Sequence, residues 1–482
     1  MRDERTLDPG AIERVFGRYR SLVSSYDAFT DALLAPLPAV VWAHPTRTTR
    51  DELAAHLAAD GVVSEPVPWE PSALRLPGTE RPGLHWTYAA GLYHVQEEAS
   101  LVPVRLLDPR PGERVLDLCA APGGKTARIA FALNNRGTVV ANDRSAARLA
   151  ATSAAIGRLG IRNVTCTVTD GMAYPLGAGR FDKVLVDAPC TAEGTMHKSS
   201  PWRREPHDFR RWIPGVQRAL LERGLRLCRP GGRVVYSTCT LAPEENEAVI
   251  DAVIAAAAGR ARVAPVAPIE GLPLSPGLDA WEGQRFAPEV QHAVRLWPHL
   301  GRTSAFFVAV IEKDADAPDE PTPDESRPID ALAIEAGAHP TLARFQEAFG
   351  LAEDELDRHR VLEWGRYARL VPDDHRMPAH ARHVSTGLTV TRNRVRGPKL
   401  STGGGMSLGR TASRQVVQLD PSAVARFHAR EPVPLDEVEL VDCAHDGYVV
   451  VRTGPHALGL GRVVRGDGRD ELVSEFPKAW TI

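Results

Sequence analysis

The chain lacks most of the features that sort a sequence quickly. Only six cysteines occur in 482 residues, none of them in a C-x-x-C pair. That excludes a zinc ribbon or a disulfide framework and points to a reducing, cytoplasmic compartment. Charge of either sign is not in excess: 58 Lys and Arg face 61 Asp and Glu, a formal charge of -3. No global basic field exists, so a nucleic-acid partner must be held by local patches. Long apolar runs are missing. The most apolar stretch, residues 248–258, is interrupted by Asp251 and is too short to span a bilayer; no membrane partner is expected. No apolar segment follows Met1-Arg-Asp-Glu-Arg5, so no signal peptide is expected. Two phosphate-binding signatures are absent as well. A Walker A loop needs glycine where Cys119 stands, and G-x-G-x-x-G does not occur.

What is present is a soluble globular composition, 43% apolar and 25% charged, long enough for two or three domains. The chain is organised around Val115-Leu-Asp-Leu-Cys-Ala-Ala-Pro-Gly-Gly-Lys-Thr126. Residues 114–118 read as a buried strand, and residues 125–133 as a helix. Strand, glycine turn and helix open a βαβ nucleotide-binding unit. The glycines allow close backbone approach, and the helix N-terminus offers free N–H groups. An ordinary tight turn is the plain alternative. Three further strands are expected at 138–142, 164–169 and 181–186, with a helix at 146–159. They run into Asp143, Asp170 and Asp187. Open parallel sheets bind ligands at the carboxyl ends of their strands, and an acid about 20 residues past the glycines can hold both ribose hydroxyls. A lone aspartate there is more often a turn cap; three in one register favour a nucleoside site.

Around this unit the chain reads as follows. Residues 10–35 form an amphipathic helix, and residues 40–76 a compact α/β pattern whose helix starts at the cap Thr49-Arg-Asp-Glu52. Residues 197–212 mix Arg203, Arg204, Arg210 and Arg211 with Trp202, Phe209 and Trp212, suited to phosphates and stacked bases or to a solvated face. Pro243-Glu-Glu-Asn246 sits where a helix begins, its acids complementing the dipole. Residues 314–328, rich in acids and prolines, read as a solvated linker. Residues 375–419 hold no acid at all but several arginines. Arg392-x-Arg394-x-Arg396 on a strand would face one way, as a phosphate ladder or a plain basic face.

The glycine turn, Asp187-Ala-Pro-Cys190, Tyr236-Ser-Thr-Cys239-Thr and Pro243-Glu-Glu-Asn246 together resemble the RNA cytosine-5 methyltransferases of the RsmB/NOP/NSUN type, and within them the RsmF branch. The match runs from about Leu92 to Lys313. It resumes at Leu458-Gly-Leu-Gly-Arg462 and near Pro477-Lys478, which resemble a PUA-like domain. Gly91-Leu-Tyr-His-Val-Gln-Glu-Glu-Ala-Ser100 resembles the family's lead-in segment; Trp42-Ala-His44 departs from its usual Arg-Val-Asn. The resemblance implies a Rossmann-like, doubly wound seven-stranded α/β sheet with an N-terminal RRM-like subdomain and a C-terminal PUA-like domain. The expected division is 1–100, 101–313 (catalytic), 314–328 (linker), 329–383 (small helical segment) and 384–482 (PUA-like).

The resemblance also implies S-adenosylmethionine as cofactor, held by Cys119, Ala120, Ala121, Pro122, Gly123, Gly124, Lys125, Asp143, Asp170 and Asp187. It implies RNA as substrate, namely small-subunit ribosomal RNA or the 30S subunit, and a monomer in the cytoplasm. Carbon 5 of cytosine is a poor nucleophile. A thiolate added at carbon 6 makes the base an enamine, and carbon 5 then accepts the methyl group. In the family the Thr-Cys cysteine attacks, here Cys239, and the Pro-Cys cysteine, here Cys190, assists product release; Asp187 can bond the cytosine amino group or N3, and the family also places it near the cofactor. DNA cytosine methyltransferases attack with a Pro-Cys cysteine, so Thr238-Cys239 separates the two. A transfer-RNA methyltransferase and a non-catalytic ribosome-assembly factor stay as alternatives.

Overall fold

The structure of the protein is a computed structural model that describes residues 9–195, 209–394, 397–443, 447–466 and 470–478. Its centre is a ten-stranded sheet. Seven strands form the doubly wound core: β1 (Arg114–Asp117), β2 (Thr138–Asp143), β3 (Val164–Val168), β4 (Phe181–Asp187), β5 (Cys228–Thr238), β6 (Val294–Leu296) and β7 (Phe306–Lys313). Their order is 6-7-5-4-1-2-3. Strands 5-4-1-2-3 are parallel, and β7 runs antiparallel between β5 and β6. These strands are apolar on both faces because helices cover both: α1 (Gly124–Ala132), α2 (Ala146–Leu159), α3 (Phe209–Leu227) and α4 (Glu247–Ala257). The strand order reverses between β1 and β4, and a crevice opens at that point at the carboxyl ends.

Three short strands extend the core. Ser275–Pro276 and Ala261–Val263 pair with β6 and β7. His383–Thr386 closes the β3 edge, where unpaired backbone groups would otherwise invite other chains.

The N-terminal region differs from a single helix. It breaks into Pro9–Phe16, a 3-10 turn and Tyr26–Leu34, because Ser25 is extended and its side chain caps the second helix. Its aromatics Phe16, Tyr19 and Phe29 pack on Leu241, Trp297 and Ala305 behind the cysteine loops. The following unit is βαββαβ, its strands lying in the spatial order Glu65–Pro66, Ala73–Leu76, Ala39–Ala43, Tyr93–Val95, RRM-like in topology. The capping box at Thr49 and Glu52 forms as the sequence predicts. The strand Ala39–Ala43 is buried on both faces. Trp42 packs with the core of the ten-stranded sheet, and Val41 with Leu53 and Leu57 of the capped helix. Trp42 donates its indole N–H to Gln96 and His44 bonds the Leu159 carbonyl. The departure from the family's residues here therefore builds a domain joint.

The stretch 314–328 is no free linker. Asp319 and Glu320 pair with Arg180 and Arg226, and Arg114 and Arg376 bond Ser326. The acids are drawn onto basic side chains just before β4 and on α3. Residues 329–383 are not mainly helical. Apart from the helix Pro340–Phe349, they build the strands Ile334–Glu335, His359–Trp364 and Tyr367–Pro372 of a five-stranded sheet completed by Leu388–Arg394 and Gly397–Leu400. A boundary at 383/384 would cut that sheet; tertiary pairing overrides the local helical pattern. The last part of the chain forms a separate six-stranded sheet from Val416–Leu419 to Glu471–Ser474.

Candidate functional site

The glycine turn is stitched to both neighbours of β1. The Leu118 N–H bonds the Leu185 carbonyl at 2.9 Å, and the Ala120 N–H bonds the Asn142 carbonyl at 2.7 Å. Gly123 then caps α1 at φ 105°, with no side-chain cap. A Cβ there would strike Thr152 at 2.8 Å, so only glycine permits both the turn and the close packing. The first N–H groups of α1 are left for a ligand.

Below the turn lies a cavity of about 740 Å³. Cys119, Ala120, Ala121, Pro122, Gly124, Lys125, Asp187 and Cys239 line it. The Lys125 ammonium meets Asp187 Oδ2 at 2.8 Å, and the Ser237 hydroxyl donates to Asp187 Oδ1 at 2.7 Å. Burial opposes the Lys125 charge, but Asp187 outweighs it and holds the ammonium above its ordinary value; Asp117 and Cys239 add to the effect.

The three strand-end aspartates have three different settings. Asp187 is in the cavity wall. Asp143 is buried at the end of β2, its Oδ1 accepting the Ser145 N–H at 2.9 Å and its Oδ2 facing Arg148 at 3.2 Å. It is not part of the cavity wall. Asp170 is exposed and caps a 3-10 turn through the Met172 N–H, the plain role of an aspartate after a strand. One acid was missed. Asp117, the last residue of β1, lines the cavity. Its Oδ2 accepts from Thr126 at 2.6 Å, while its Oδ1 is buried with no partner. Burial pushes it up to about 7. The signal was in the sequence: a strand that otherwise reads apolar ends on an acid.

The two cysteines meet. Cys190 follows β4, Cys239 follows β5, and their sulfurs lie 3.4 Å apart. Contact with Cys239, and then burial, hold the Cys190 thiol well above its ordinary value. The loops are joined through Pro243-Glu-Glu-Asn246, which is a buried junction and not a helix start; α4 begins only at Glu247. Glu245 accepts the Thr191 N–H and hydroxyl at 3.0 and 2.6 Å and the Gln217 amide at 2.8 Å. Thr191 also bonds Thr240, the residue after Cys239, at 2.8 Å. Asn246 ties Thr238 and the Thr240 carbonyl. Burial raises Glu245 to about 7 against these hydrogen bonds. From outside, Tyr19 donates to Glu193 at 2.7 Å, and Glu193 pairs with Arg210.

The lead-in segment supplies the opposite wall, with His94 and Gln96 lining the cavity. Arg158 donates to His94 Nδ1 at 3.1 Å. A guanidinium only donates, so Nδ1 accepts and Nε2 carries the proton. Gln96 is held from both ends, by the Trp42 N–H and by the Ser100 carbonyl.

The basic patches fare differently. Residues 197–208, with Trp202, Arg203 and Arg204, lie outside the described residues, as do Arg396 and the side chain of Arg394. Phe209 and Trp212 stack edge to face at 4.8 Å at the start of α3, and Trp212 is 46% exposed. Lys399 pairs with Glu475, Arg414 with Asp442, and Arg410 bonds the Thr46 carbonyl. Among the described residues there is no cluster suited to a metal ion, and no helix is long and apolar enough to cross a membrane.

The sheet order, the glycine turn and the strand-end acids are those of the Rossmann-like fold of the S-adenosylmethionine-dependent methyltransferase class. Residues 104–312 match the family described as 16S rRNA methyltransferase RsmB/F. It is over this stretch that the chain is similar to that family. It is similar to the ribosomal RNA small subunit methyltransferase F of Escherichia coli O81, 33% identical over 62% of this chain and 62% of that protein. The Aeromonas salmonicida protein of the same name is 28% identical over 94% and 93%. A solved methyltransferase homologue from Pyrococcus horikoshii is 32% identical, with a TM-score of 0.56, over 64% of this chain and all of that one. The chain spans 37% to 62% of the length of the first curated relatives it matches.

S-adenosylmethionine, the cofactor of this class, fits the residues present. The free α1 N-terminus suits a carboxylate, and the orphaned Asp117 oxygen suits a cationic group. Sulfonium activation of a methyl group is the chemistry it supplies.

Proposed function

We propose that the protein methylates carbon 5 of cytidine in RNA through a covalent bond from Cys239 to carbon 6, and that its substrate is small-subunit ribosomal RNA. One observation carries this reading: two thiols on adjacent strand ends, 3.4 Å apart, with Cys239 in the wall of the cofactor cavity. Cys239 attacks carbon 6 as the thiolate, the reactive form, in the cavity that Lys125 also lines. The bond pair displaced toward carbon 5 makes that carbon the nucleophile for the methyl group. Asp187, fixed by Lys125 and Ser237, holds the base through its amino group or N3. After methyl transfer carbon 5 gives up its proton to water, the C–H pair re-forms the bond between carbons 5 and 6, and the carbon–sulfur bond breaks to release Cys239 and restore aromaticity. Cys190, kept as a thiol, assists that expulsion. Asp143, the glycine turn and Lys125 hold the cofactor.

The choice of small-subunit RNA is supported by the near full-length likeness to a protein named for that substrate. A mouse relative named for 28S rRNA aligns over only 61% of the chain. The test is transfer of labelled methyl from S-adenosylmethionine to isolated 30S subunits, 50S subunits, naked 16S RNA and transfer RNA, followed by bisulfite sequencing. A 5-methylcytidine in 16S RNA is expected. Transfer only to 50S or transfer RNA removes the substrate assignment; transfer to none removes the enzymatic one.

A further inference from the structure

The five-stranded sheet carries a hairpin whose tip has no role in the core. Its strands, His359–Trp364 and Tyr367–Pro372, are joined at Gly365, which turns at φ 58°. Trp364 and Tyr367 face each other across the tip, and Arg392 on the next strand is the register partner of Tyr367. Directly opposed residues project from the same face of a sheet. Trp364 is 54% exposed, whereas Ala368 and Leu370, on the inner face, are buried.

Three guanidiniums surround the Tyr367 ring. Arg366, Arg369 and Arg392 lie 5.5, 5.7 and 5.8 Å from its centre. A hydrogen bond from Arg366, with the fields of all three cations, pulls the phenol below its ordinary value against slight burial. Among the described residues none of the three is paired with a carboxylate, which sets them apart from Arg360 on the same hairpin, bound to Asp330 and Glu335. Like charges gathered on one ring repel one another and favour an anion beside them.

The tip also stands at the right end of the molecule. The Trp364 ring is 6.3 Å from that of His383, and His383 pairs with Thr167 near the carboxyl end of β3. The same rim of the sheet carries the cysteine cavity. From Asp187 on β4 across β1, β2 and β3 to residues 383–386 there are four strand spacings, about 20 Å.

We infer that this tip is a contact surface for single-stranded RNA, with a base stacked on Trp364 and phosphates held by Arg366, Arg369 and Arg392. An exposed aromatic beside unpaired arginines is what an unstacked strand requires; a duplex hides its base faces. The inference rests on RNA being the substrate.

The test uses the full chain, a single-stranded 20-mer oligoribonucleotide of mixed sequence and its duplex, read by anisotropy over a salt series. Trp364→Ala should weaken the single strand about 10-fold and leave the duplex unchanged, and Trp364→Phe should recover most of the loss. Replacing the three arginines by alanine should flatten the single-strand salt slope by about two units, at roughly 0.7 per phosphate. Unchanged S-adenosylhomocysteine affinity verifies the fold of each variant. Equal losses on duplex and single strand, or none on either, overturn the stacking surface. So does a loss confined to phosphatidylserine vesicles, which would mark a membrane contact. Methyl transfer by the unaltered protein, measured in parallel, reports on the proposed function separately: activity without a Trp364 effect sinks only this surface.

Discussion

The cavity and the acid-free stretch 375–419 both hold charged side chains, and the fold treats them in opposite ways. In the cavity, residues far apart in the chain converge. Asp117, Lys125, Asp187 and Cys239 come from three strand ends and a helix start, and share one wall. In the basic stretch, residues close in the chain disperse. Arg376 bonds Ser326, Lys399 finds Glu475, Arg410 finds the Thr46 carbonyl and Arg414 finds Asp442. A run of one sign in sequence is therefore not by itself a patch in space, because folding brings acids and carbonyls from elsewhere to meet much of it. A set of strand ends is a site, because the topology of a parallel sheet gathers them on one rim.

The largest effect that bears on this contrast concerns the cysteines. Cys239→Ala should abolish methyl transfer and give no protein–RNA adduct. Cys190→Ala should form the bond and fail to break it, so that an adduct survives denaturing gel electrophoresis in the presence of RNA and cofactor. An adduct from Cys239→Ala alone would exchange the two roles. Full activity of both variants would reduce the 3.4 Å sulfur contact to packing.

Next in size is the junction that holds the cysteine loops together. Glu245 is 3% exposed, and burial raises it from an ordinary 4.5 to about 7. Because the folded value lies above the unfolded one, its stabilising contribution is whole below about pH 4.5 and is lost as pH rises through about 7. Between pH 5.5 and 8 the loss should be about 2 kcal/mol. Glu245→Gln imitates the neutral acid: its oxygen can accept from the Thr191 N–H and Gln217, and its amide can donate to the Thr191 hydroxyl. Urea unfolding at the two pH values should show that the variant loses about 2 kcal/mol less than the unaltered protein. An identical pH dependence would mean that Glu245 is already ionised in the folded state.

These two predictions differ in how far the sequence carried them. The sheet, the glycine turn and the helix 146–159 were legible because apolar period and turn chemistry agree there. The cysteine pair was legible through motifs. The junction was not: Pro243-Glu-Glu-Asn246 has the chemistry of a helix start, and only the loop after β4 brings Thr191 and Gln217 to Glu245. The hairpin tip was also hidden, since Trp364, Tyr367, Arg369 and Arg392 share a face only once three strands pair. The helical reading of residues 329–383 failed for the same reason: short strands take their identity from their partners.

Asp143 is the intermediate case, a strand-end acid outside the cavity wall. Its two oxygens already meet Ser145 and Arg148, yet a carboxylate has about four acceptor positions, and both oxygens retain capacity for ribose hydroxyls. Asp143→Ala should weaken S-adenosylhomocysteine by about 1–3 kcal/mol, the range for leaving hydrogen-bond partners unmet, with calorimetry as the measure. Unchanged affinity with the fold intact would remove Asp143 from the cofactor site.

The smallest effect tests the dispersal directly. Arg414 belongs to the acid-free stretch by sequence, and its guanidinium lies 3.5 Å from Asp442, both side chains being more than half exposed. Such a pair contributes at most about 1 kcal/mol, and commonly less, because water and salt screen it. If folding has already assigned this arginine to Asp442, Arg414→Ala should change stability by no more than about 0.5 kcal/mol. It should also leave the salt slope of RNA binding where it was, whereas each lost phosphate contact lowers that slope by roughly 0.7 on a single strand. The two measurements separate the two readings of a basic stretch. A flattened slope without a stability change would make Arg414 a phosphate contact and Asp442 an incidental neighbour, and the stretch would then act as a patch despite its partners.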